Sequence, residues 1–309
     1  MSILIIAPTR DTTIWVEGLQ ALLPEVPVYA HPHLPADPAE ITCAITWLHP
    51  DGALQAYPNL RLICSMGAGV DHFLADPGLP VDVPITRIVD PALAAAMSTF
   101  VLTAILNHHR RWQHFLDQQA TGRWAQKDTC EVPLRVGILG MGVLGQDLAT
   151  KVAQLGFYVA GHSQTAKSVP GVRSYAGEEQ LDAFLQDINV LVCLLPLTPQ
   201  TSGVLNATLF ARCSPGTYLI NVARGAHLVE EDLIPAIEAG QLSGAVLDVF
   251  QHEPLPTDHP FWAHPQVVVT PHHASLTNPH AAIPQLADNY QRMLNGRPLL
   301  NQVDREKGY

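Results

Sequence analysis

Cations are scarce in this chain. Of its 309 residues only 17 are Lys or Arg, against 28 Asp or Glu, which leaves a formal net charge of −11. Affinity for phosphate backbones comes mostly from clustered Lys and Arg, so the composition argues against a nucleic-acid partner and equally against an anionic membrane surface. Charged residues make up only 15% and hydrophobic residues 47%, the reverse of a disordered composition. Cysteine is sparse as well. Cys43, Cys64, Cys130, Cys193 and Cys213 are odd in number and widely spaced, with no C-x-x-C pair. They form neither a disulfide framework nor a zinc site, and they suit a reducing, cytoplasmic setting. Long apolar runs are missing too. The longest, residues 92–106, is interrupted by Ser98, Thr99 and Thr103, and a span needs roughly 20 apolar residues. It reads as a buried helix in a protein with no membrane partner. The first residues, Ser2-Ile3-Leu4-Ile5-Ile6, are too short and uncharged for a secretory signal.

What is present is enough apolar material for about two domains. Short apolar runs at 3–7, 26–29, 43–47 and 60–66 read as buried strands, and helical spacing covers 14–23. Asp90 as cap and Pro91 at the first helical position open one long helix to about residue 119. That helix would run roughly 40 Å at 1.5 Å per residue. Further strands are expected at 135–140, 157–160, 189–194, 217–221, 244–249 and 267–270, with helices at 143–155, 205–213 and 230–239 between them. The last helix, from 279 to about 294, would fold back onto the N-terminal unit. Alternation of this kind implies parallel sheets covered by helices, an α/β protein.

Gly140, Gly142 and Gly145 spell G-x-G-x-x-G between an apolar strand and a helix, the context a dinucleotide fingerprint needs. Gly140 would make the tight turn, Gly142 would let a pyrophosphate approach, and Gly145 would let helix and strand pack closely. Met141, Val143 and Leu144 complete that turn, whose amides and helix dipole suit an anion. The competing reading is a glycine-rich turn that binds nothing. About 20 residues on, NAD-preferring folds carry an acid for the ribose. Here the sequence is Gly161-His162-Ser163-Gln164-Thr165-Ala166-Lys167-Ser168, with no acid before Glu178. An acid would repel a 2′-phosphate, so NADP(H) is favoured, with Ser163, Thr165 and Lys167 as its candidate partners. The loop holds no arginine, which leaves NAD(H) possible and a merely solvated loop open.

A second constellation lies on three later strand ends. Asn221-Val222-Ala223-Arg224-Gly225 offers an arginine, Leu247-Asp248-Val249-Phe250 with Glu253 offers acids, and Thr270-Pro271-His272-His273 offers a histidine. Ligands in open α/β sheets bind beyond the carboxyl ends of strands. Arg224 can take a carboxylate bidentately, His272 can shuttle a proton, and Glu253 could orient that histidine. Each alone is more often a structural ion pair or a satisfied histidine; their convergence points to catalysis. The paired histidines elsewhere, His31 with His33 and His108 with His109, join no convincing ligand set, so no metal is expected.

With Gly67-Ala68-Gly69-Val70-Asp71, Glu253-Pro254-Leu255-Pro256 and the terminal Val303-Asp304-Arg305, these motifs run nearly end to end. In that order they make the chain resemble the D-isomer-specific 2-hydroxyacid dehydrogenases. The resemblance implies two Rossmann-like, doubly wound parallel-sheet domains with a cleft between them. The substrate domain would be 1–98 plus 279–309, and the dinucleotide-binding domain 99–278. It further implies reduction of small 2-oxo acids such as glyoxylate and hydroxypyruvate, with Arg224, Glu253 and His272 as the catalytic set. Trp47 and the amides of Ala68 and Gly69 would bind substrate. Leu195, Pro196, Ala223 and Asp248 would border the cofactor, Asp248 orienting its carboxamide. A tryptophan placed like Trp124 implies a homodimer. The segment Ala96-Met97-Ser98-Thr99-Phe100 departs from the family in lacking a Glu-plus-aromatic pair. Two alternatives stay open: a dehydrogenase for a phosphoglycerate-type substrate, disfavoured because no basic residue follows the 67–71 loop before Arg87, and a non-catalytic dinucleotide sensor on the same fold.

Overall fold

The computed structural model describes residues 1–126 and 131–308; Cys130 falls outside them. The chain runs through β1 (Ser2–Ile6), α1 (Thr13–Leu22), β2 (Val28–Ala30), β3 (Ile41–Thr46), β4 (Leu62–Ser65), α2 (Asp71–Leu74), β5 (Ile85–Thr86), α3 (Pro91–His109) and α4 (Trp112–Ala120). It continues with β6 (Arg135–Leu139), α5 (Val143–Gln154), β7 (Tyr158–Ser163), β8 (Arg173–Ala176), α6 (Leu181–Gln186), β9 (Val190–Cys193) and α7 (Ala207–Arg212). Last come β10 (Thr217–Asn221), α8 (Glu230–Glu238), β11 (Leu242–Leu247), β12 (Val267–Val269) and α9 (Pro279–Leu294). Two compact units result, residues 1–93 with 277–309 and residues 94–276. The boundaries therefore fall five and two residues before the expected 98/99 and 278/279.

The first unit is a five-stranded parallel sheet in the order β2-β1-β3-β4-β5. Side chains alternate faces along a strand, so β1 feeds two cores. Ile3 and Ile5 join Trp15, Leu19, Leu286 and Tyr290, while Leu4 and Ile6 join Leu54, Ile63 and Phe73. Residues of α1 and α9 share the first of these, which places the terminal helix on this unit's sheet.

The second unit is a seven-stranded parallel sheet in the order β12-β11-β10-β9-β6-β7-β8. Its connections reverse direction between β6 and β9, the switch point of a doubly wound fold. Val190, Val192 and Ile220 face one core with Met97, Val101 and Ile105 of α3, whereas Leu191, Cys193 and Leu219 face the other.

Three sequence expectations are corrected. The single helix 91–119 is two helices, because Arg111 adopts a left-handed conformation at φ +52°. The break falls at the end of the run His108-His109-Arg110-Arg111. At 19 residues, α3 is long and apolar enough by length and composition to cross a membrane, and 39% of its most apolar window is buried. Second, β7 extends to Ser163, so Gly161 and His162 belong to the strand and the polar loop starts at Gln164. Third, β5 and β8 were not expected; one has two residues and the other, Arg173-Ser174-Tyr175-Ala176, has no apolar run.

Candidate active site

The three glycines of the fingerprint have different neighbours. Gly140 sits at φ +102°, and a Cβ there would lie 2.5 Å from the Leu194 carbonyl oxygen, so the turn after β6 is pressed onto the turn after β9. A Cβ on Gly145 would lie 2.0 Å from the Gly140 carbonyl oxygen. Gly142 meets nothing within 4 Å. It is the N-cap of α5, and no side chain caps the helix, so the first-turn amides are left for another acceptor. That arrangement fits a pyrophosphate. Met141 points inward against Gly161 and can offer only its backbone, whereas Val143 is exposed.

Past β7, the 164–168 loop is exposed. The Ser163 hydroxyl donates to the Thr165 carbonyl at 2.8 Å, and the Lys167 amide donates to Ser174 Oγ at 3.1 Å. No acid stands in this loop.

Past β10, buried Asn221 shapes the arginine turn, its Nδ2 donating to the Arg224 carbonyl and its Oδ1 accepting from the Ala223 amide. Gly225 packs so closely on the Phe250 backbone that a Cβ would overlap it. The Arg224 turn is thereby fixed to the chain that carries the acids. His227, fully buried, ties the turn to the post-β9 segment. Its Nε2 lies 3.3 Å from the Pro196 carbonyl oxygen and its Nδ1 3.2 Å from the Arg224 amide nitrogen. Its Nδ1 also lies 3.1 Å from the Arg224 carbonyl oxygen, so one ring ties both the backbone of the arginine turn and Pro196 together. Thr201 Oγ1 also donates to Pro196, next to Leu195.

Past β11 and β12, Asp248 is 1% exposed and holds the histidine turn. Its carboxylate accepts from the amides of His273 and Ala274 and from Thr270 Oγ1, and its carbonyl accepts from the His272 amide. Three of its roughly four lone-pair sites are thus filled from within the protein; its observed work is to anchor the turn. His272 sits at φ +50°, a conformation that is uncommon for non-glycine residues and persists where its surroundings enforce it. Its Nδ1 lies 2.7 Å from Glu253 Oε2, and Glu253 Oε1 accepts from the Phe250 amide at 3.0 Å. Burial pushes the Glu253 carboxyl up, but the bonds from His272 and Phe250 and the charges of His272 and Arg224 outweigh it and leave the pKa below its usual range.

In the first unit, Trp47 follows β3 and donates its amide to the Ile6 carbonyl at the end of β1. A Cβ on Gly67 would lie 2.6 Å from its ring. Buried Ser65 shapes the 67–69 loop by accepting from the Gly67 amide and donating to the Gly69 carbonyl. The half-buried Ala68 and Gly69 are left at the loop's rim. Sequence reasoning missed Asn221, Gly225 and His227 as organisers; the N-x-x-R-G-x-H spacing was the available signal. Among the described residues, no three His, Cys, Asp or Glu gather as a metal set.

An open parallel sheet with an uncapped glycine turn at its switch point, and Arg, Glu and His on successive strand ends, defines a dinucleotide-dependent oxidoreductase. Residues 102–274 match the model of the D-isomer specific 2-hydroxyacid dehydrogenase, NAD binding domain, and the chain belongs to that family. It is 42% identical to a glyoxylate/hydroxypyruvate reductase A of Serratia proteamaculans and 40% identical to one of Yersinia enterocolitica, covering 100% of each chain in both cases. Among solved structures it is similar to a D-isomer specific 2-hydroxyacid dehydrogenase from Xanthobacter autotrophicus Py2 in complex with NADPH and MES. The TM-score is 0.94 at 40% identity, with 100% of this chain and 99% of that one covered. An NADPH-dependent glyoxylate/hydroxypyruvate reductase from Sinorhizobium meliloti, in complex with NADP and sulfate, matches with TM-score 0.93 at 37% identity over 100% of both chains.

Proposed function

We propose that this enzyme reduces small 2-oxo acids, glyoxylate to glycolate and hydroxypyruvate to D-glycerate, with NADPH. The observation that carries the reading is the 2.7 Å contact between His272 Nδ1 and Glu253 Oε2, beside an arginine one strand end away. The relatives named for this activity and the NADP-bound neighbours support it.

The Gly140–Gly145 turn would hold the pyrophosphate, and Lys167 with Ser163 and Thr165 the 2′-phosphate. Leu195, Pro196 and Ala223 would border the nicotinamide, which when bound supplies the hydride that the 2-oxo carbon accepts. Arg224, with its planar fork, would grip the substrate carboxylate and keto oxygen. In the first unit, the Ala68 and Gly69 amides and Trp47 are the groups proposed to bind substrate. With Nδ1–H engaged by Glu253, His272 has Nε2 left to face the substrate. Protonated there, it donates to the carbonyl oxygen as negative charge develops, and Glu253 stabilises the imidazolium until that proton leaves.

Homodimer formation is part of the proposal. It is supported by Trp112, Phe115 and Leu116, all exposed, and by Trp124 at 93% exposure, a concentration of large apolar side chains that marks association surfaces. The free, buried thiols of Cys43, Cys64, Cys193 and Cys213 suit a cytoplasmic site of action. The test is oxidation of NADPH and NADH in parallel with glyoxylate and hydroxypyruvate, with Arg224→Ala as control and light scattering for mass. Failure to turn over any short 2-oxo acid ends the reading.

A further inference from the structure

No basic residue follows the 67–71 loop before Arg87 in sequence, but the fold brings Arg10 onto Trp47, whose ring packs on Gly67 of that loop. Residues Pro8-Thr9-Arg10 leave the carboxyl end of β1, and Trp47 leaves that of β3. These strands are hydrogen-bonded neighbours with Ile6 paired to Thr46, so the two loops emerge side by side. In the order β2-β1-β3-β4-β5 this is where the connections reverse, the place where open α/β sheets bind ligands.

There the Arg10 guanidinium carbon lies 4.2 Å from the centroid of the Trp47 ring. Arg10 is half-buried, and its burial lowers its pKa. Among the described residues it has no carboxylate within ion-pair distance, although this chain is rich in acids. Desolvating a cation without a counter-charge is unfavourable. The contact with the indole ring recovers part of that. Among the described residues no acceptor is hydrogen-bonded to its five N–H donors, a planar fork that matches a bidentate acceptor. The same indole ring packs on Gly67, at the start of the loop whose Ala68 and Gly69 amides are proposed to bind substrate. One ring thus bridges that loop and a partnerless cation. Arg87, also half-buried, follows β5 at the far edge of the sheet, away from this switch point.

Resting on the function proposed above, we infer that Arg10 is a specificity-determining residue that receives a second anionic group, a carboxylate, on the distal carbon of the substrate. The chain accordingly acts on 2-oxodicarboxylates as well as on glyoxylate. One planar fork matches the two oxygens of a carboxylate, and the phosphorylated acid is kept as a competing outcome of the test.

The experiment compares wild type with Arg10→Gln and Arg10→Lys. It measures kcat/KM for ketomalonate, oxaloacetate, 3-phosphohydroxypyruvate and glyoxylate, together with calorimetric binding of tartronate, a dicarboxylate that needs no turnover. In Arg10→Gln the ratio of dicarboxylate to glyoxylate kcat/KM should fall by about 10-fold or more, and tartronate Kd should rise by a similar factor, as for a lost charge-assisted pair. Arg10→Lys should retain part of both, which separates a charge effect from a packing defect. The inference is overturned if wild type reduces glyoxylate but no 2-oxodicarboxylate, if the ratio does not move, or if only the phosphorylated acid responds. Should no 2-oxo acid be reduced at all, the proposed function falls, and the tartronate measurement still decides the role of Arg10.

Discussion

The imidazole of His272 meets the carboxylate of Glu253 at 2.7 Å, and the two side chains reach each other from different strand ends. The contact depends on a histidine backbone at φ +50°, which Asp248 enforces through its carbonyl and both carboxylate oxygens. The His272–Glu253 pair and its support are therefore one construction. With its pKa below the usual range, Glu253 stays ionised into mildly acidic solution. The stability it adds is present above the unfolded-state pKa and is lost only as pH falls through the lowered folded one.

Replacing that carboxylate isolates its charge. Glu253→Gln keeps the shape of the side chain but no longer stabilises the imidazolium. kcat/KM for glyoxylate reduction should drop by about 10²-fold, and reduction should fail at a lower pH than in wild type. A pH–rate profile that keeps its position would show that Glu253 only fills space.

Gly142 and Gly145 separate binding from folding. A Cβ on Gly142 meets open space at an ordinary φ of −76°, so Gly142→Ala should fold with an almost unchanged Tm and lose about 10-fold or more in NADPH affinity. A Cβ on Gly145 collides with the Gly140 backbone, so Gly145→Ala should destabilise the unit by roughly 1–3 kcal/mol. Thermal melts with and without cofactor read both; equal behaviour of the two variants would contradict this division of roles.

His227 joins the Arg224 turn to Pro196 without solvent contact. His227→Leu leaves the half-buried Arg224 amide without its side-chain acceptor, while the Pro196 carbonyl keeps Thr201, and should cost about 1–2 kcal/mol of stability. Arg224 should also be less well placed, raising KM for the 2-oxo acid more than for NADPH. Steady-state kinetics beside denaturant unfolding provides the check, and unchanged KM values would limit His227 to a structural role.

His108 makes stability depend on pH. Its ring stacks on Tyr218 at 4.0 Å, and burial, aided by positive charge at His109 and Arg111, lowers its pKa from 6.5 to about 4. Between those values the unfolded chain binds a proton that the folded one refuses, so stability is complete above pH 6.5 and declines as pH drops toward 4. His108→Phe keeps the stacking and does not titrate. Its stability relative to wild type should improve on the order of 1–2 kcal/mol between pH 8 and pH 4.5. Urea unfolding at both pH values measures this, and an identical difference at each would refute it.

Much of the molecule could be read along the chain because the signals are local. Apolar runs such as Val190-Leu191-Val192-Cys193 have few alternatives to a buried strand, and glycine spacing after β6 is a backbone requirement written in consecutive residues. Arg224, Glu253 and His272 were legible because each lies just past such a strand. Other features had no local signature. The turn at Arg111 interrupts a pattern that is helical on both sides. β8 exists through its pairing with β7, and Asp248 proved to be an anchor only once the His272 turn was seen wrapped around it. Arg10 and Trp47 are neighbours because β1 and β3 pair in parallel and end together. Local order along the chain is enough for the layered α/β class, the dinucleotide turn and the chemistry available at the strand ends. Which side chains meet, and which cation is left for a ligand, was decided by tertiary structure, since strand order and register are set by burial of whole faces and not by any short stretch of chain.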